Sequence, residues 1–557
     1  MFGVLRRTLN VSVGVGWRYV MVSSDASVNV NTILDGQVSL DLECLDRIYL
    51  NGYVPNLQVS GQVAVFMRDH LGLKIPSPAV FERIGTKFRR AVGSYAEANH
   101  IPVVRFTKDD RKIDVMRPYL EVAARTGRSQ VAAIGIAQEY AVVFTGTQQG
   151  GSNGIPWFAF TKAQRRVTCV YFYLWDDDFG PAFVKVCAYF PYPMKIWLNG
   201  HEWAKRQASK QGLAFRELSN GFASCQDPAA LQAICDRLGP GTINVFCQRW
   251  WARLPLPLTD ADRAGGYWWE VSMRQIETSR TLVFTAPRHG RAFFESLVTD
   301  NLDLGRPDTL ELIFGRQIRS GPLRSTQTEF KTKVVTRGVD VTINAFYKHS
   351  RIKQYLKDGR ALRIETVINS PTDLGVARRL EHLDELQAKA RAINARLLDT
   401  ERVGQGCVLA SPAFARVASP TTVGGRRAPA LRFGDPRVMA LAGALAMCVN
   451  TVTGFTNRSL RAHVSGLLGV DYTMSQASYD LRRLRLKGLI ERLPHSNTYL
   501  LTSDGVRVAV FYTKVHNRVL VPLLAANAPP APPDLRQALR TIDQHVTKYV
   551  KHARIRT

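Results

Sequence analysis

The sequence predicts a multidomain α+β protein: a central mixed or antiparallel sheet with helices, followed by a small basic helix-and-hairpin module. Three observations predict it. At 557 residues the chain is longer than one hydrophobic core organises, so about three or four domains are expected. Hydrophobic residues make up 45% and charged residues 22%, values that let most of the chain fold. Apolar residues recur now at alternate positions, now at helical spacing, with turn-forming links between them.

Residues 1–32 lack the continuous apolar run of a secretory signal and read as a frayed or misassigned leader. From Gln37 to Tyr53 apolar and polar residues alternate at first, as in a half-buried strand. QVAVFMRDHLG and the segment after Ser77-Pro78 read as helices, with Ser77 as cap and Pro78 in the first turn. A strand over 101–106, a helix over 113–125 and a strand over 130–144 complete an N-terminal α/β domain, 33–150, which ends at the loop QQGGSNG.

A central α+β domain, 151–410, opens with strands at 166–175, 182–190 and 194–200, whose short links favour an antiparallel meander. A helix starts near His201. LQAICDRL, TINVFCQRWWARL and YWWEVSMRQIETSRTLVF read as helices around an aromatic core. Strands at 309–318, 339–348 and 361–369 and Arg/Leu-rich helices over 375–399 close the domain. Pro and Gly mark a linker over 411–430, 431–524 form the C-terminal module, and 525–557 carry a Pro/Ala linker and a basic terminal helix. No internal repeat is visible.

Charge sets the class of partner. Lys and Arg number 74 against 46 Asp and Glu, a net charge of +28 with a pI near 10.0. Such an excess attracts polyanions, and nucleic acid leads because phosphate binding releases counterions. An anionic membrane suits the chain less, since no basic amphipathic helix flanks an apolar anchor and no apolar run reaches about 18 residues. Eight scattered cysteines form no CxxC pair, so they read as buried thiols of a cytoplasmic protein.

The most specific segment is Asp480 to Thr502, DLRRLRLKGLIERLPHSNTYLLT. Thr473 or Ser475 can cap a helix on which Leu481, Leu484 and Leu489 take one face. Gln476, Tyr479, Arg482, Arg483 and Lys487 take the other, with Arg485 adding charge. Gly488 suits a bend before the hairpin. The pattern LxxLxxxGLIExxxxxxxYxLTxxG resembles the winged-helix DNA-binding superfamily over roughly residues 436–515. The resemblance implies a helix in the major groove, with arginines on phosphates or guanine edges. Winged helices also serve protein contact, so a homodimer is a second use of the module.

Two segments are candidates for catalysis. Asp176, Asp177 and Asp178 end a strand, and Glu202 opens the helix two strands later. That order resembles the start of the RNase H-like fold, which implies Asp176, Asp178 and Glu202 as Mg²⁺ ligands, since this ion takes hard oxygen donors. An exposed turn before Phe179-Gly180-Pro181 accounts for the same residues. In YKHSRIKQYLKDGRALRIET, a strand with Tyr347, Lys348 and His349 precedes a basic loop and a strand that puts Arg363 and Glu365 on one face. The segment resembles rolling-circle replication initiators, which implies a catalytic or metal-holding Glu365 and a nucleophilic Tyr347 or Tyr355. Their His-hydrophobic-His motif is absent. Lys348, Arg351, Lys353, Lys357, Arg360 and Arg363 equally suit a grip on a phosphate backbone. Asp41, Glu43 and Asp46 offer either further ligands or solvated strand positions.

No Walker loop, nucleophile elbow or dinucleotide fingerprint is present. The segments WDDDFGP, LNGHE, YKHSRIKQY and RFGDPR resemble those of an uncharacterised bacterial family, which implies no particular activity. The expectation is a cytoplasmic DNA-binding protein that acts on nucleic acid, by Mg²⁺-dependent phosphodiester cleavage or strand transfer. Its rivals are a non-enzymatic regulator or architectural protein, and an RNA-binding protein in which Trp268 and Trp269 stack bases.

Overall fold

A computed structural model describes residues 30–150, 157–304, 309–313, 332–337, 340–404, 412–447, 453–494, 496–516 and 533–552. The leader up to residue 29, residues 151–154 of the QQGGSNG loop, 314–318 and the Ala/Pro stretch 525–532 lie outside them.

After helix α1 (Val30–Gly36) come β1 (Val38–Tyr53), α2 (Ser60–Val65), α3 (Ala79–Ala98), β2 (Val103–Arg105) and α4 (Lys112–Thr126). A meander follows: β3 (Gln130–Gln149), β4 (Trp157–Asp176), β5 (Gly180–Cys187) and β6 (Met194–Asn199). Next are α5 (Gly200–Lys210), β7 (Phe215–Glu217), β8 (Phe222–Cys225), α6 (Pro228–Asp236), α7 (Pro240–Trp251) and α8 (Asp260–Ala264). Then come β9 (Glu270–Phe284), α9 (Pro287–Leu304) and β10 (Thr309–Ile313). A second meander, β11 (Thr332–Arg337), β12 (Asp340–Tyr347), β13 (Ser350–Lys357) and β14 (Ala361–Ile368), leads to α10 (Leu383–Gly404).

Twelve of these strands form one mixed sheet, in the order β10-β11-β12-β13-β14-β9-β1-β6-β5-β4-β3-β2. Its two halves trace the same path. Outward from β1 lie β6, β5, β4, β3 and β2; outward from β9 lie β14, β13, β12, β11 and β10. Each half sends its first strand to the far edge through helical sequence, forms a parallel pair there, and meanders back antiparallel to the first strand. Antiparallel pairing of β1 with β9 joins the halves. Strands from both sides of residue 150 therefore share one sheet.

Alternation decides which face is core. Ile48 and Leu50 of β1 and Ile196 and Leu198 of β6 are fully buried, whereas Arg47, Tyr49, Lys195 and Trp197 between them reach solvent. Phe293 and Phe294 of α9 and Ile393 and Leu397 of α10 cover Leu362 and Ile364 of β14. On the opposite face, Met116 and Leu120 of α4 cover only the β3–β4 end. Asp358 and Gly359, both at positive φ, make the tight β13–β14 hairpin turn.

Two expectations are corrected. Residues 270–284, read as helix, are a central strand, and 350–357, read as a basic loop, are β13. The later half of β9 is buried almost continuously, so no period-two signal survives there.

The segment 412–430, expected as a linker, instead forms α11 (Pro412–Ala418) and the hairpin β15 (Thr421–Val423) and β16 (Arg426–Ala428). Phe414 and Val417 join a second core with α12 (Pro436–Ala446), β17 (Phe455–Thr456), α13 (Asn457–Leu468) and α14 (Met474–Leu486). Strands β18 (Ile490–Arg492) and β19 (Thr498–Leu501) pair with β17 in a three-stranded sheet, and α15 (Ser503–Val515) closes the unit. A last helix, α16, spans Pro533–His552. Among the described residues no helix is long and apolar enough to cross a membrane.

One glycine sets how closely α5 approaches the sheet. A Cβ on Gly200 would lie 2.0 Å from the backbone oxygen of Leu45 in β1. Gly200→Ala should therefore cost about 1–3 kcal/mol, read as a lower urea midpoint at unchanged slope.

Candidate functional site

A β-bulge begins the site. Leu45 pairs with Thr278 and Ile48 with Ile276, so Asp46 and Arg47 both oppose Glu277. A bulge redirects the side chains of its strand, and here it brings Asp46 and Arg47 to the same polar cluster. Glu277 and Ser279 of β9 reach that cluster by strand alternation, as do Arg363 and Glu365 of β14. Among the described residues, Asp46, Glu277 and Glu365 are the one set of acidic, His or Cys side chains that converges, their ligand atoms within 4.8 Å of one another.

Arg363 organises this cluster. Its side chain is 0% exposed, and Nη2 donates to Asp46 Oδ2 at 2.6 Å and to His201 Nε2 at 2.7 Å. Nη1 donates to the Asn220 carbonyl at 2.6 Å, and Nε lies 2.8 Å from Glu365 Oε1. Because Arg363 donates to Nε2, the imidazole of His201 is neutral with its proton on Nδ1, and burial lowers its pKa accordingly. Asn220 donates to Asp46, Tyr355 donates to Glu365 Oε1 at 2.7 Å, and Lys353 donates to Glu365 Oε2 at 3.4 Å. Glu277 accepts from Gln275 at 2.9 Å and lies 3.7 Å from Arg47. Burial, countered in part by Arg47, raises its pKa. Lys357 donates to the Asn220 carbonyl at 2.7 Å, and burial with the nearby Arg363 brings its pKa down to about 8.

Three oxygens at this spacing are the donor type Mg²⁺ takes. Asp46, however, already accepts from a guanidinium fixed at the same place, and Glu365 is ion-paired with it. The cluster is a charge-balanced network, does not fit a resident Mg²⁺, and supports no step through one.

The sequence-derived sets fare unequally. Asp176, fully buried, accepts from Arg249, from Trp250 Nε1 at 2.7 Å and from two backbone N–H groups at 3.0 Å. Asp178 accepts from Lys210 at 2.7 Å and Arg249 at 3.0 Å, which hold its pKa low against the effect of burial. Glu202 pairs with Lys205 at 2.9 Å. These carboxylates lock a hairpin and a helix in place, and they do not converge with one another. Of the acidic candidates, Glu365 and Asp46 belong to the cluster. His201, Ser279 and Glu277 were missed, Glu277 because its segment was read as helix.

The basic candidates also divide. Arg363 is too deep to touch a phosphate, which corrects its assignment. Lys348 donates to the Asp373 carbonyl at 3.2 Å and Arg360 to the Phe284 carbonyl at 3.2 Å, while Arg351 is exposed. The side chain of Tyr347 lies outside the described residues.

In the C-terminal unit, Thr473 caps α14 and its N–H donates to Gln476 Oε1 at 2.8 Å, a capping box that occupies the Gln476 oxygen. Asp480, buried, accepts from Tyr472 at 2.7 Å and Arg437 at 2.8 Å and so ties α14 to α12. Arg483 donates to the carbonyls of Pro429 and Ala430. Lys487, 0% exposed, donates to the carbonyls of Arg416 at 2.7 Å and Ser419 at 2.9 Å. Arg483 and Lys487, expected on the nucleic-acid face, are thus structural. Tyr479, Arg482 and Arg485 stay exposed.

Comparison with family models, with curated proteins and with solved structures finds no match to this chain.

Arg363→Met would leave Asp46 and Glu365 buried without their cation and should cost about 3–5 kcal/mol, measured by denaturant unfolding. A second test lies on the helix side of the sheet. Glu401 accepts from Gln354 at 3.0 Å through one oxygen, its other oxygen is buried without a partner, and burial raises its pKa to about 8. A carboxyl raised by folding stabilises below its unfolded pKa of about 4.3 and loses that contribution as pH rises through the folded value. Glu401→Gln should match the parent in thermal stability near pH 4 and exceed it increasingly toward pH 8.

Proposed function

We propose that the chain is a DNA-binding protein whose C-terminal unit is a winged helix, with α14 as the helix that enters the major groove. One observation carries the reading: α14 separates its cations by task. Ser475, Ser478, Tyr479, Arg482 and Arg485 lie exposed along the helix, while Asp480, Leu481, Leu484 and Lys487 are buried and hold the frame. The exposed stripe begins at a capped N-terminus, the end from which such helices read base edges. The β18–β19 hairpin supplies the wing, and a net charge of +28 supplies long-range attraction. Phosphate contacts fall to Arg482 and Arg485, and base-edge contacts to Ser475, Ser478 and Tyr479. Because two of the three converging carboxylates, Asp46 and Glu365, are paired with Arg363 and the third, Glu277, faces Arg47, binding rather than cleavage is the activity assigned.

Salt-dependent binding of the full chain to duplex DNA tests this. Arg482→Ala and Arg485→Ala should each reduce the slope of log affinity against log salt by about 0.9. Lys487→Met should instead destabilise the unit by about 1–3 kcal/mol, because it strips buried carbonyls of their donor. A doubly substituted R482A/R485A chain that keeps the parental affinity and slope would show that α14 does not touch DNA.

A further inference from the structure

The outward face of the sheet beside the β1–β9 seam carries more than the scattered polar residues that an antiparallel sheet turns to water. Strand register places Tyr49 of β1 opposite Trp197 of β6, and Trp197 opposite Phe183 of β5. Phe183 and Trp197 stack with centroids 6.0 Å apart and planes 7° apart, and Tyr49 meets Phe183 edge-on at 6.3 Å. All three rings are partly buried. Arg274 and Lys195 lie over the Tyr49 ring at 5.3 and 5.7 Å.

The charges on this face do not cancel. Glu139 is bound by Lys112, Lys185 and Tyr171, whose hydrogen bonds outweigh burial and hold its pKa at about 2. Glu277 faces Arg47 and Gln275, and Glu365 faces Arg363, Tyr355 and Lys353. Arg274, Lys195 and Arg351 form no ion pair among the described residues. Burial, with Arg274 and Lys185 close by, pulls the Lys195 ammonium down to about 8. Cations that form no ion pair among the described residues, set beside partly exposed aromatic rings, complement a polyanion that carries flat rings. From β13, which carries Arg351, to β5 is five strand spacings in the sheet order. At about 4.8 Å each the lane is roughly 24 Å long, room for a few nucleotides.

We infer that this face is a platform for single-stranded nucleic acid, with bases stacking on Tyr49, Trp197 and Phe183 and phosphates held by Arg274, Lys195 and Arg351. It goes beyond the duplex reading, because it rests on other residues in another part of the fold. A duplex keeps its bases stacked inside and cannot use the rings. An acidic peptide would use the cations and leave the rings idle.

The test is fluorescence anisotropy on the full chain with labelled oligothymidine and oligouridine of about twenty nucleotides, and with duplex DNA. The doubly substituted R274Q/K195Q chain should bind single strands about tenfold more weakly, with a salt slope shallower by about 1.4, and keep parental duplex binding. Arg482→Ala should do the reverse, so failure of this inference and failure of the duplex reading are separately visible. The tighter of the two single strands names the source, DNA or RNA. Unchanged single-strand affinity in R274Q/K195Q, or displacement of oligothymidine by polyglutamate as effective as by unlabelled oligothymidine, overturns the inference. Ultraviolet cross-linking of the parent to oligothymidine gives a readout independent of any variant's folding. Cross-links in peptides containing Tyr49 or Trp197 support the platform, and cross-links confined to α14 overturn it.

Discussion

The pairing of β1 with β9 is the constraint on which the molecule depends. It runs from Val38 opposite Phe284 to Tyr53 opposite Glu270 and joins two halves that each end in a parallel pair at the sheet's outer edge. Neither first strand has another partner on its inner side. A register slip there would turn Ile48 and Leu50 out of the core and Arg47 and Tyr49 into it. The bulge at Asp46 and Arg47, one of three register shifts along the ladder, delivers a carboxylate to the same face as Glu277 and Glu365.

That carboxylate cluster explains why Arg363 can be fully buried. An isolated guanidinium in the interior is strongly disfavoured, but Asp46, His201 and the Asn220 carbonyl accept from it at 2.6 to 2.7 Å and Glu365 is ion-paired with its Nε at 2.8 Å. The residues come from β1, α5, the β7–β8 turn and β14, so the network fastens one half of the sheet to the other. Its chemistry is that of a structural lock. The outward face alongside it, by contrast, holds Arg274, Lys195 and Arg351, which form no ion pair among the described residues.

The C-terminal unit follows a similar rule on a smaller scale. Residues that looked like ligands for phosphate, Arg483 and Lys487, are used up by backbone carbonyls of the segment 412–430 and hold it against α14. Those that remain, Arg482 and Arg485, are too few to be the whole source of a +28 charge.

Much of this was legible in the residues. Alternation placed β1, β3 and the β4–β6 meander, and the Thr473 cap with the Leu481 and Leu484 stripe placed α14, because both patterns are local and periodic. Glu365, Arg363 and Asp46 could be singled out as chemistry-bearing, and the facing of Arg363 and Glu365 followed from strand geometry alone. Their partners could not. The later half of β9 is buried on both faces, which erases the period that marks a strand, and the duplication of the two halves lives in the order of strands rather than in matching residues. Whether a charge is a ligand or a lock depends on what packs against it: Asp176 on Arg249, Lys487 on Arg416, Arg363 on Asp46. Those contacts join positions far apart in the chain, and only the folded structure brings them within hydrogen-bonding reach.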